Sequence, residues 1–150
     1  MRKTGTTKRL IIAAAALMAC SAAVRAQDQS TQQYQNLLTP LLQGGADILG
    51  RPVKYPDGPA NVTAAEVTIP PGGETGWHEH EVPLFGYILE GELTVDYGTR
   101  GKKTYKAGDS FLEAVHWPHN GTNTGAVPMQ LIAVYMGGGG EANTVASASP

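Results

Sequence analysis

All four histidines of this 150-residue chain fall in two short stretches, His78 and His80 within GWHEHEVP and His116 and His119 within VHWPHNGTN. Neutral imidazole is the commonest metal ligand and the usual proton carrier near neutral pH. On a strand, residues two apart project from one face at about 6–7 Å, so His78 and His80 can converge on one ion with metal–nitrogen distances of about 2.0–2.1 Å. A third imidazole from a distant strand completes a facial set with open positions, the arrangement of a reactive rather than a closed structural site. Cys20 is the only cysteine, so there is no disulfide framework and no thiolate cluster, and any metal must use His, carboxylate, amide or water.

The segments that must position these residues read as short strands. Val62–Ile69 ends at the hard turn Pro70-Pro71-Gly72-Gly73. Leu84–Leu89 and Leu93–Tyr97 flank Glu90-Gly91, which predicts a tight hairpin. Lys102–Tyr105 and Ser110–Glu113 surround Ala107-Gly108-Asp109, and Met129–Met136 closes the series. Many short strands with glycine turns predict an all-β sandwich or barrel, and tandem glycine-turn hairpins fit a jelly roll. Leu37, Leu38, Leu41 and Leu42 recur at helical spacing within Tyr34–Leu42, which fits a short N-terminal helix or, because Pro40 interrupts it, an irregular strap.

Residues 1–26 carry a basic start (Arg2, Lys3, Lys8, Arg9), the apolar run Leu10–Ala19 and small residues thereafter, the layout of a secretory signal. Cleavage after Val24-Arg25-Ala26 starts the mature chain at Gln27; alternatively, Leu17-Met18-Ala19-Cys20 is a lipobox-like sequence (leader 1–19) that would lipidate Cys20 and tie the protein to a membrane. Either way the expectation is an exported, periplasmic bacterial protein. After residue 26 the chain has six Lys and Arg against thirteen Asp and Glu, a net charge of −7. An acidic domain without basic runs argues against nucleic acid as a partner. The expected organisation is a lead-in over 27–49, one domain over 50–137, and a disordered Gly/Ala/Ser/Thr tail over 138–150.

The two histidine stretches resemble the two motifs of the cupin superfamily. Gly72, His78, His80 and Gly91 fit G-x5-H-x-H-x3-E-x6-G, and Gly108, His119 and Asn123 fit G-x5-P-x-G-x2-H-x3-N. The resemblance covers roughly residues 50–137 and implies a double-stranded β-helix barrel holding one divalent metal ion, with His78, His80 and His119 as its imidazole ligands. Fe(II) is placed first, with Mn, Ni, Cu or Zn as alternatives, and a homodimer is implied by the resemblance alone. Two departures stand out: Leu84 occupies the carboxylate position of the first motif, and Ala114 and His116 replace the proline and glycine of the second. The four-donor set is therefore broken. A three-histidine site, a carboxylate borrowed from elsewhere, or loss of the metal are the three outcomes.

Glu113 is the candidate substitute. It shares strand parity with Phe111, which turns both inward just before His119, where a carboxylate can ligate, orient a histidine or accept a proton. His116 is a weaker candidate, an acid/base or substrate contact at the barrel mouth. Glu79 and Glu81 alternate with the histidines and should face outward, and Asn123 is expected to serve the barrel turn. Trp77, Phe85, Tyr87, Phe111, Trp117 and Tyr135 could line a pocket or fill the core, and Trp77 and Trp117, beside the histidines, are the ones worth testing there. No phosphate loop, nucleophile elbow or dinucleotide fingerprint is present. The resemblance implies a mononuclear non-haem metal dioxygenase acting on a small organic substrate; the alternatives are a non-catalytic metal- or ligand-binding domain, or an isomerase, lyase or decarboxylase using the ion as Lewis acid.

Overall fold

The computed structural model describes residues 32–150 and divides the chain into two compact units, Met1–Pro40 and Leu41–Pro150. The secretory leader and Cys20 lie outside the described residues. Among the described residues, 32–35 are helical and the helix ends there, so none runs through to Leu42.

The second unit is built from β1 (Asn61–Ile69), β2 (His78–Glu79), β3 (Leu84–Glu90), β4 (Glu92–Asp96), β5 (Lys102–Lys106), β6 (Ser110–Leu112), β7 (Asn120–Asn123), β8 (Met129–Gly137) and β9 (Val145–Ala146). They form three antiparallel sheets in the orders β1-β8-β3-β6, β5-β4-β7 and β2-β9. Strand alternation sends Ile88, Leu84, Leu131 and Ala133 of the larger sheet inward, against Leu93, Val95 and Tyr105 of the three-stranded sheet. Tyr105 stacks on Phe111 within this core, with ring centroids 4.2 Å apart.

The hairpin expected across Glu90-Gly91 does not form. β3 pairs with β6 and β8, whereas β4 pairs with β5 and β7, so the turn carries the chain from one sheet to the other. Gly91 sits at φ +78°, and a Cβ there would come within 2.9 Å of the backbone of Pro128 and Met129. Glycine is needed because the chain turns a corner against a neighbouring segment, not because two strands fold back on each other.

Both ends of the domain extend further than the sequence suggests. The segment before residue 50 belongs to the unit: Asp47 is buried, Ile48 donates its N–H to the Leu112 carbonyl at 2.9 Å, and Ile48 and Leu49 pack on the core. The 138–150 tail, expected to be disordered, contains β9 and runs along β2 in the register His78↔Ala146 and Glu79↔Val145. Its composition lacks an apolar period because it is held by backbone pairing rather than by a buried face.

Candidate metal centre

β2 carries the H-x-H pair and is fixed on both flanks. On one side His78 and His119 exchange backbone hydrogen bonds (His78 N–H to His119 O, 3.0 Å; His119 N–H to His78 O, 2.9 Å), and the His80 carbonyl accepts from His116 N–H at 2.8 Å. These bonds draw the two distant motifs into direct contact. The imidazoles form a triangle with centroid separations of 4.4 Å (His78–His119), 5.0 Å (His78–His80) and 5.0 Å (His80–His119). One ring nitrogen from each lies within 4.8 Å of the others.

Each ring is oriented by its own backbone partner. Nδ1 of His78 lies 2.8 Å from the Gly76 carbonyl, Nδ1 of His119 lies 2.8 Å from the Trp117 carbonyl, and Nδ1 of His80 lies 2.9 Å from the Asn143 carbonyl. A carbonyl can only accept, so each Nδ1 carries the proton and each Nε2 is left with a free lone pair. Three like-oriented donors with fixed tautomers are what a divalent ion of the first transition series requires. The donor set fits such an ion.

Burial keeps all three rings neutral. It is the largest influence on each, pulling His78, His80 and His119 below the ordinary histidine value, His80 to about 3. The neighbouring imidazole of His119 pushes His78 and His80 further in the same direction. A low proton affinity leaves the lone pairs available to a metal across the whole neutral range.

The rings open onto a cavity of about 90 Å³ whose other walls include Leu84, Leu93, Val95, Phe111, Glu113, Ala133 and Tyr135. Glu113 does point inward, as its parity requires, and is 4% exposed. It lies outside the three-imidazole cluster; its Oε1 accepts the Ala114 N–H at 2.7 Å. Burial pushes its carboxyl up to about 7, opposed by the Ala114 N–H and the Tyr97 hydroxyl. Leu84 lines the same cavity at 5% exposure, so the position of the absent motif carboxylate is a hydrocarbon wall.

His116 stands elsewhere. It is exposed, has φ +49°, and lines a separate open cleft of about 590 Å³ with Arg51, Lys54, Glu81 and Glu141. The two tryptophans are also absent from the histidine cavity; of the six aromatic candidates, Phe111 and Tyr135 line it. Trp117 packs under the guanidinium groups of Arg51 and Arg100, 5.7 and 5.5 Å from its ring centre, and donates from Nε1 to the Tyr97 carbonyl. Glu79 and Glu81 are absent from the cavity wall, in keeping with their parity. Asn123 is wholly structural: Nδ2 donates to the Ile69 and Val127 carbonyls, each at 2.8 Å, while Oδ1 accepts from Gly125 N–H at 2.9 Å.

Sequence reasoning missed the pairing of buried Asp47 with half-buried Arg51. Asp47 accepts from the N–H groups of Leu49 and Arg51 and from the Arg51 guanidinium, which in turn donates to the Val115 carbonyl. The D-x-x-x-R spacing was the available signal, but it suggests a helix pair rather than a loop clamp. It also missed Asn143 and Thr144, because nothing in a Gly/Ala/Ser/Thr tail indicates contact with a histidine.

The model for the cupin domain matches residues 65–135, which span both histidine motifs and the strands that carry them. This chain carries a cupin domain. Among solved structures, an oxalate oxidase is 22% identical over 57% of this chain and 45% of its own, with a TM-score of 0.50. The oxalate decarboxylase of Lactobacillus farciminis, in a formate complex, is 22% identical over 57% of this chain and 26% of its own, with a TM-score of 0.49. A Thermotoga maritima protein described as a predicted oxalate decarboxylase is 31% identical over 49% of this chain and 64% of its own, with a TM-score of 0.44. The match thus spans less than half the length of either of the first two. No curated protein matches the chain.

Proposed function

We propose that this cupin binds one divalent metal ion, Fe(II) in the first place, through Nε2 of His78, His80 and His119, and acts as a mononuclear non-haem oxidoreductase on a small organic anion. The observation that carries the proposal is the convergence of three free Nε2 lone pairs, each set by a carbonyl on its own Nδ1. An ion held there would act as Lewis acid toward chelating oxygen atoms and, if redox-active, give access to dioxygen.

The chain's own residues define what such a site accepts. Three neutral ligands leave the charge of a divalent ion uncompensated, which favours an anionic or enolisable chelator. A hollow of about 90 Å³ walled by Leu84, Val95, Phe111 and Ala133 limits that chelator to a few heavy atoms. Glu113, on the same wall and with a carboxyl raised to about 7, can hold or release a proton at its carboxyl oxygens at neutral pH. Short hydroxy acids, dicarboxylates and diketones meet these demands; oxalate, the compound named for the solved neighbours, is the smallest of them.

The test is anaerobic reconstitution of the full chain with Fe(II), followed by oxygen uptake across a panel of such acids and diketones. Uptake of one ion by the wild type, its loss in His78→Ala, and oxygen consumption with at least one panel member are expected. Failure to take up the ion, or uptake unchanged in His78→Ala, contradicts the reading. A second reading follows from Leu84: without a fourth protein donor the metal serves ligand capture rather than turnover. Product formation from any compound that also raises the melting temperature decides against it. Turnover without oxygen uptake would instead favour a metal-dependent isomerase, lyase or decarboxylase.

A further inference from the structure

The C-terminal segment after β8 passes close to Pro56 and Asp57, where a Cβ on Gly138 would meet the Asp57 carbonyl at 2.6 Å. It then crosses to β2. There Ala142 N–H donates to Glu81 at 2.7 Å, β9 pairs with β2, and Ser147 N–H donates to the Trp77 carbonyl at 3.0 Å. The last residue, Pro150, closes over Gly98. Along this path the segment offers two acceptors to one ring nitrogen: the Asn143 carbonyl at 2.9 Å and the Thr144 hydroxyl at 3.1 Å from Nδ1 of His80.

The other two histidines take their Nδ1 acceptor from two residues upstream, Gly76 for His78 and Trp117 for His119. His80 alone takes it from a segment more than sixty positions away in sequence. We infer that the strap over residues 142–147 is a positioning element of the histidine site, with the Asn143 carbonyl and Thr144 hydroxyl fixing the tautomer and rotamer of His80. This deepens the metal-binding reading above and rests on it for its consequence, but the orientation of His80 is a property of the metal-free chain. Without the strap Nδ1 of His80 loses its acceptors, the proton distributes over both nitrogens, and Nε2 is no longer reserved for a ligand bond. Loss of such an orienting partner lowers metal affinity by about 10–100-fold.

Two full-length variants separate this role from general stability. In an antiparallel ladder, residues two apart direct their N–H groups to the same side, so Val145→Pro with Ser147→Pro removes the donors that hold the strap on β2. Thr144→Val removes one acceptor and leaves the backbone in place, and Thr144→Ser restores the hydroxyl. The first readout is the tautomer of each histidine in the metal-free ¹⁵N-labelled chain by long-range proton–nitrogen correlation at pH 7. The second is the affinity for Co(II).

Wild type should show the Nδ1–H form at His78, His80 and His119. The double proline variant should show mixed tautomers at His80 alone and bind Co(II) about 10–100-fold more weakly. Thr144→Val should weaken binding severalfold, with recovery in Thr144→Ser. An unchanged His80 tautomer in the double proline variant, or equal Co(II) affinity in the valine and serine variants, overturns the proposal. If the double variant does not fold, the valine–serine pair decides. If the wild type binds no Co(II), the metal reading fails while the tautomer of His80 still decides the role of the strap.

Discussion

Two hollows of this cupin hold histidine, and they differ in kind. The cleft beside His116 is the larger, about 590 Å³, and mixes Arg51, Lys54, Glu81 and Glu141 on its walls. Its buried carboxylate, Asp47, is consumed by the Arg51 guanidinium and two backbone N–H groups. The cavity beside His78, His80 and His119 is about 90 Å³ and largely apolar, yet three lone pairs point into it unspent. The contrast shows that volume and charge do not make a reactive site. Donors left free after the backbone has fixed their orientation do, and only the smaller hollow has them.

The comparison breaks most readily at the smaller site. His78→Ala should lower divalent-metal affinity by at least a thousandfold, about 4 kcal/mol, whereas His116→Ala should leave it within twofold; calorimetric titration of both variants checks this. At the other hollow, Asp47→Ala should cost about 3 kcal/mol of stability by leaving two backbone N–H groups unpaired and Arg51 held by the Val115 carbonyl alone, while the folded variant still takes up one ion. Denaturant melts alongside metal stoichiometry separate the two effects.

A smaller effect concerns Glu113. Its folded-state value of about 7 lies above the ordinary 4.5, so the folded chain holds a proton that the unfolded chain releases, and this support is lost as pH rises from 4.5 through 7. Glu113→Gln should therefore match wild type below pH 4.5 and exceed it by about 3 kcal/mol above pH 7, read from melts across that range. The histidines act in the opposite sense. Held below the ordinary 6.5, they support the fold above that value and withdraw the support as pH falls, so metal-free wild type should lose stability on acidification despite Glu113. The smallest change is His116→Gly. Releasing a non-glycine residue from φ +49° should leave stability unchanged or raise it by up to about 1 kcal/mol.

Legibility in the sequence followed how local each cause was. The meeting of His78, His80 and His119 was readable because H-x-H on a strand and two motifs in order leave little freedom. The inward turn of Glu113 followed from parity with Phe111. The sheet change at Glu90-Gly91 was not readable, since a hairpin and a corner use the same residues, and only contact with Pro128 and Met129 separates them. Trp117 was misplaced for a similar reason: adjacency to His119 in sequence does not tell which face a side chain takes when Arg51 and Arg100 compete for its ring. The strap was least legible, because backbone pairing to β2 leaves no trace in side-chain chemistry.

The proposed site places one divalent ion on Nε2 of His78, His80 and His119 together. The direct measurement is anomalous diffraction, at the absorption edge of the added metal, from crystals of the reconstituted full chain. A single peak is expected about 2.0–2.2 Å from all three Nε2 atoms, with no protein oxygen from Glu113 in the ligand set. A peak in the Arg51–His116 cleft, or none among the three imidazoles at full metal loading, would contradict it.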